Sequence, residues 1–151
     1  VDVELLAACA REYPGWTFPI FGPVERSVDL SPLRDLPNVS VQGRVAYERV
    51  PAIMQAFDVG LMPFRPGAIS DYANPVTLYE FLALGKPVVC TPLQDIEGLD
   101  GLIFVSRNEF VPNVERASHA RGEHLAHRRR AVADSHSWDA LVHGVLSSLP
   151  L

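Results

Sequence analysis

The sequence predicts an α/β fold, a parallel β-sheet with helices on both faces. Short apolar runs rich in β-branched and aromatic residues recur along the chain, and segments with apolar residues at helical spacing separate them. Gly or Pro stands at most junctions. Strands buried on both faces read as continuous apolar runs, and parallel neighbours need a crossover between them, usually a helix. Strands alternating with helices therefore imply a parallel sheet covered twice.

The elements follow in order. Asp2 can cap a helix in which Val3, Leu5, Leu6, Cys9 and Ala10 mark the buried side, and Pro14-Gly15 stops it just after Tyr13. Residues 16–21 read as a buried strand ended by Gly22-Pro23. A polar connection runs through Asp35, and residues 39–41 form a second strand closed by Gly43. Residues 50–56 are helix-like, and residues 58–62 form a short strand ended by Pro63. The next connection, carrying Pro66, Gly67, Ser70, Asp71 and Asn74, is long for such a unit, and long loops there are often functional. Asn74 is expected to cap a helix with Pro75 in its first turn, Leu78, Phe81, Leu82 and Leu84 on its buried side, and Gly85 as its stop. Residues 88–90 and 102–105 supply two more strands, the second after a turn at Asp100-Gly101. Terminal helices over about residues 108–147, in three pieces, finish the chain.

Length and composition fit one domain over residues 1–151, since 48% hydrophobic residues leave enough apolar surface for a core. Thirteen Lys and Arg against eighteen Asp and Glu give a net charge of −5, which supplies no general attraction to nucleic acid. Any anion must be held locally. Cys9 and Cys90 are too few for a disulfide scaffold or a four-thiolate metal site, which points to a reducing cytoplasm, and the scattered histidines show no metal spacing. No apolar run approaches the roughly 20 residues that cross a bilayer, and the start lacks the pattern of a signal peptide. The chain opens directly in a helical pattern, so a domain truncated at its N-terminus is expected. In open parallel sheets ligands bind beyond the carboxyl ends of the strands, which directs attention to the loops after Phe21, Val41, Met62 and Cys90.

The most informative stretch is Asn74-Pro75-Val76-Thr77-Leu78-Tyr79-Glu80-Phe81-Leu82-Ala83-Leu84-Gly85-Lys86-Pro87-Val88-Val89. A helix beginning here aims unpaired N–H groups and the positive end of its dipole at the loop region, where a diphosphate can be held without a basic patch. Val76, Thr77 and Leu78 would offer those groups, with the Thr77 hydroxyl as a further donor. Glu80 lies within the first two turns, where its carboxylate can accept from two vicinal ribose hydroxyls.

This stretch resembles the signature of the group 1, or GT4-like, glycosyltransferases. Further features resemble the same family in the same order: the strand ending in Gly22-Pro23, Asn38-Val39 through Gly43-Arg44-Val45, Phe57-Asp58-Val59 leading to Pro63-Phe64, and a closing Ser137-Trp138-Asp139. The resemblance implies the Rossmann-like C-terminal half of a two-lobed GT-B enzyme, holding a nucleoside diphosphate sugar with no further cofactor and no metal. It implies the base against Gly43 and Arg44, the ribose on Glu80, the diphosphate on Val76, Thr77 and Leu78, and the donor sugar near Asp71, Tyr72 and Asn74. In the family, Glu80 is the second acid of a pair with seven residues between; the position of the first holds Tyr72, with Asp71 beside it. The resemblance further implies an acceptor lobe, with the catalytic base, outside these residues, and transfer of a hexose-type unit in cell-surface polysaccharide or glycolipid synthesis. By the same reasoning the isolated chain transfers nothing.

Two other functions stand beside this one. A non-catalytic, transferase-like binding module would account for Tyr72, and a sugar-nucleotide epimerase uses a similar donor lobe. Arg128-Arg129-Arg130 reads as a solvated helix face, with attraction to anionic lipid at the inner face of the membrane as the functional alternative. Cys9 and Cys90 read as buried small hydrophobes.

Overall fold

The computed structural model describes residues 1–65, 67, 74–93, 96, 98 and 101–148, residue 145 by its backbone. Helix α1 spans Val3–Glu12, and the Asp2 side chain accepts from the Leu5 amide at 3.3 Å, as its place before the apolar pattern predicts. Strand β1, Phe18–Phe21, pairs in parallel with β2, Val39–Gly43. A 3₁₀ turn at Ser31–Leu33 interrupts the polar connection between them, and a second at Tyr47–Arg49 leads into α2, Val50–Gln55.

Strands β3, Gly60–Met62, β4, Val88–Cys90, and β5, Ile103–Val105, form a second parallel ladder in the order β3-β4-β5. Helix α3, Val76–Ala83, connects β3 to β4, while α4, Phe110–His119, α5, Glu123–Ser135, and α6, Trp138–Ser148, follow β5. Every described pairing within a named strand is parallel, and the strand pairs fall into two ladders rather than one continuous sheet.

Strand β4 shows how the layers form. Its three residues are fully buried, and alternation along a strand sends Val88 and Cys90 to one face and Val89 to the other. Val88 and Cys90 join Leu78, Phe81 and Leu82 of α3 and Ala133 of α5. Val89 joins Cys9 and Ala10 of α1 and Phe110, Val114 and Ala117 of α4. Helices thus cover both faces.

Helix α3 is fixed from its C-terminal end. Gly85, at φ +73°, donates to the Leu82 carbonyl, and the Lys86 amide donates to Phe81, a left-handed cap that only glycine adopts without strain. Farther along, the Phe81 ring lies so close to Gly60 that a Cβ there would stand 2.6 Å from it. Strand and helix can approach this closely because Gly60 has no side chain.

The basic triplet departs from expectation. Arg128 is exposed, but Arg129 is 2% exposed and donates to the carbonyls of Gly85 at 3.0 Å, Ala120 at 2.6 Å and Gly101. Position 129 falls on the face of α5 that carries Ala126 and Ala133, so the helical period turns it inward. Buried charge is tolerated where several acceptors meet it, and here they are the ends of three connections. Arg129 is a staple, and the triplet is not a continuous solvated face.

Candidate functional site

A cleft of about 1150 Å³ opens between β1 and β3 and reaches the loops beyond their carboxyl ends. Arg44, Thr77 and Glu80 line it together with Phe21, Gly22, Pro23, Phe57 and Phe81. Arg44 follows the end of β2, whereas Thr77 and Glu80 come from the first turns of α3, so residues of two elements converge on one space. The Phe57 ring lies 6.0 Å from Phe21 and 6.2 Å from Phe81, centroid to centroid, which builds an aromatic wall on one side.

The N-terminus of α3 differs in detail from the sequence-based expectation. The cap position is Pro75 rather than Asn74, the helix starts at Val76, and no side chain of the described residues bonds its first amides. Pro75 keeps extended geometry, φ −75° and ψ 122°, which moves the helix start one residue on and leaves Asn74 exposed outside it. Leu78 is also displaced from its expected role: its amide donates to the Pro75 carbonyl at 3.0 Å and its side chain is buried. Val76 and Thr77 remain exposed, and the first N–H groups of a helix have no partner within it. Glu80, half-buried, lies one turn farther along, on the side of α3 that faces the cleft.

Gly43 ends β2 at φ +70°, and its carbonyl accepts from Gly22 at 2.7 Å, which ties the ends of β1 and β2 together beneath Arg44. Of the remaining expected residues, Asp71 and Tyr72 lie outside the described residues. Thr91, buried at the carboxyl end of β4, is spoken for: its hydroxyl donates to the Phe64 carbonyl at 3.0 Å and accepts from the Phe64 amide at 2.9 Å. It fixes the turn after β3, and its hydroxyl both donates and accepts there.

Chemically this end of the cleft pairs an apolar, aromatic wall with the Arg44 guanidinium, the Glu80 carboxylate, the Thr77 hydroxyl and a helix N-terminus, a set that suits a flat ring, a polyol and an anion at once. Among the described residues no group of three or more His, Cys, Asp or Glu gathers at metal-binding distance. Phe21 and Phe57 stand in the sequence as a strand end and as part of a motif, without a site role of their own. Their signal was position, at strand ends and in the Phe57-Asp58 step, not chemistry.

Residues 3–119 match the family described as Glycosyl transferases group 1, which covers α1 through α4 and so contains both ladders and the cleft. The chain belongs to the group 1 glycosyltransferases. It is also 30% identical, over 155 aligned residues and 97% of its length, to the "Putative teichuronic acid biosynthesis glycosyltransferase TuaH" of Bacillus subtilis (strain 168). The alignment takes in 39% of that relative, so this group 1 transferase chain spans about two-fifths of the relative's length. No described helix is long and apolar enough to cross a membrane.

Proposed function

We propose that this chain is the donor-binding part of a glycosyltransferase and holds a nucleoside diphosphate sugar in the cleft between β1 and β3. The observation that carries the reading is the convergence of Arg44, Thr77 and Glu80 on one cleft beyond the strand ends. In this reading the base lies against the Gly43-Arg44 corner and the ribose hydroxyls donate to Glu80. The diphosphate sits over the amides of Val76 and Thr77, and the sugar lies toward residues 71–74. Fixed dipoles at the helix N-terminus stabilise charge that builds on the departing diphosphate, without reorganisation at the moment of reaction. The acceptor and the catalytic base belong to a second lobe in the full-length enzyme, which transfers a hexose-type unit in cell-surface polysaccharide or glycolipid synthesis; the relative's name, a putative teichuronic acid biosynthesis glycosyltransferase, supports sugar transfer in a biosynthetic role.

Calorimetric titration with uridine and guanosine diphosphates and their sugar conjugates tests this. Saturable binding of one of them, weakened by about 1–3 kcal/mol in Glu80→Ala, is the expected result for a lost charge-assisted pair. A folded chain that binds none of them, or binds equally well in Glu80→Ala, rules the reading out. The non-catalytic alternative rests on Tyr72 in the place of an acid; it predicts binding by the chain with no sugar transfer by the full-length protein.

A further inference from the structure

Helix α3 is short, and its start has little to hold it. Its 8 residues fall below the roughly 12–15 at which an isolated helix becomes marginally stable in water, so its order comes from what it packs against. No side chain among the described residues caps its first amides. In the first turn Val76 and Thr77 are exposed, which leaves buried Leu78 and half-buried Tyr79 to fasten it. Glu80 follows directly, so whatever holds Leu78 and Tyr79 also sets how Thr77 and Glu80 are presented to the cleft.

Leu78 enters the core beside Val88 and Cys90. Tyr79 meets α5 instead. The His136 ring lies 4.7 Å from the Tyr79 ring, centroid to centroid, at an interplanar angle of 21°, a stacked pair. His136 is exposed, yet its ring is not free to turn. Its Nδ1 donates to the Val132 carbonyl at 2.9 Å, with Ser135 Oγ 3.1 Å from the same nitrogen, and its amide donates to the Ala133 carbonyl at 3.1 Å. Backbone and ring are both tied to the last turn of α5.

The helix behind the ring is anchored along α3 as well. Ala133 shares a core cluster with Leu82, and Arg129 donates to the Gly85 carbonyl at 3.0 Å. A Cβ at Gly85 would stand 3.0 Å from that of Ala126. Contacts thus run from Ala126 and Arg129 at Gly85 to His136 at Tyr79, so α5 lies antiparallel along the whole of α3. Helix α5 begins at Glu123, past the residues 3–119 that match the family.

We propose that α5 braces α3 and that His136 is a positioning residue for donor binding: its ring, held flat on Tyr79, fixes the turn from which Thr77 and Glu80 reach the cleft. His136 acts through Tyr79 and touches no ligand. The inference rests on the donor reading of the cleft.

The test uses the whole 151-residue chain with His136→Ala and with His136→Phe, which keeps a flat ring for Tyr79. Calorimetric titration with uridine and guanosine diphosphates is paired with amide hydrogen exchange at Glu80, the first amide whose partner four residues back lies within α3. His136→Ala should lower diphosphate affinity by about three- to tenfold, the range for losing an aromatic pair, and speed exchange at Glu80 by a similar factor. Exchange at Val88 and Val89 in the core strand should not change, and His136→Phe should stay within about twofold of the parent in both readouts. Parental affinity in His136→Ala overturns the proposal and leaves the donor reading standing. Equal losses in both variants overturn it too, because the stack is then not what positions the turn. Faster exchange at Val88 and Val89 as well as at Glu80 overturns it in favour of a general loss of stability. A parent chain that binds neither diphosphate removes the donor reading and this inference with it, a failure told apart from the others by the parent alone.

Discussion

Replacing Arg129 by Ala measures how much of this fold depends on one buried cation. The guanidinium is 2% exposed and donates to three backbone carbonyls, at Gly85, Ala120 and Gly101. Hydrogen bonds to a charged group contribute roughly 1.5–3 kcal/mol each, and the cost of withdrawing the guanidinium from water offsets much of that sum. What decides the outcome is the state left behind: three connection ends lose their donor, and a cavity the size of a long side chain opens beneath α5. The expected loss is about 3–5 kcal/mol, the range for breaking a buried charged arrangement from one side. Because about 1 kcal/mol moves the midpoint of a chain this size by about 2–4 °C, Arg129→Ala should lower it by roughly 6–20 °C. Thermal and urea denaturation of Arg129→Ala and of its exposed neighbour Arg128→Ala provide the assay. Arg128→Ala should stay within about 0.5 kcal/mol of the parent. If the two variants lose the same small amount, the staple is wrong and the triplet is a solvated face after all.

Gly60→Ala should destabilise by about 1–3 kcal/mol in denaturant titration, because the added Cβ would lie 2.6 Å from the Phe81 ring, and Phe81→Leu in the same chain should recover part of the loss. Burial pushes the Cys9 thiol up to about 12 and Cys90 to about 11 from an ordinary value of 9.0. Both should resist thiol reagents in the folded chain. Their raised values favour the folded state below pH 9, and that contribution should drain away from pH 9 up to about 11 or 12, at about 1.4 kcal/mol per unit for each thiol, a slope that Cys9→Ala should reduce. For Asp2, burial raises the carboxyl's value, but the bond from Arg107, the Leu5 amide and the charges of Arg107 and Arg65 together hold it below the ordinary 3.8. Its stabilisation is therefore full above pH 3.8 and lost as the pH falls through the lower folded value. The stability gap between parent and Asp2→Asn should close over that acid range.

Local patterns carried most of the fold. The cap at Asp2, the glycine stop at Gly85 and the apolar runs at β3, β4 and β5 depend on neighbours within a few residues, and such signals survive into the structure. The division into two ladders was not legible, because pairing between β1 and β3 is a question of residues some forty positions apart and no local pattern encodes it. Arg129 was hidden for a different reason. Its type and its neighbours suggested a basic face, while its spacing from Ala126 and Ala133 placed it on the apolar side, and spacing decided. Within the site, Thr77 and Glu80 were accessible to sequence reasoning because a helix start fixes which residues follow it on one side. The exact start was not, since Pro75 accommodates both the first helical position and the extended residue before it, and the second was adopted. The aromatic wall of Phe21, Phe57 and Phe81 assembles from three distant segments and has no signature of its own.

The way α3 is held bears on what its N-terminus can do. A side-chain cap stabilises a helix start by about 1 kcal/mol, and it does so by occupying the amides that an anion would otherwise bind. At Val76 and Thr77 no such cap is present among the described residues, and the helix derives its order from the other end: the Gly85 turn, the Phe81 ring against Gly60, and Arg129 bonded to the Gly85 carbonyl. Anchoring at the C-terminal end leaves the N-terminal amides positioned but unspent. In a chain of net charge −5 this is how a diphosphate could be held, since the attraction comes from a few oriented dipoles within one turn, not from the long-range field. Binding at such a site should accordingly respond weakly to ionic strength compared with binding at a basic patch. A steep loss of diphosphate affinity between 50 and 200 mM salt, of the kind roughly 6–10 screened phosphate contacts produce, would place the anion somewhere other than the start of α3.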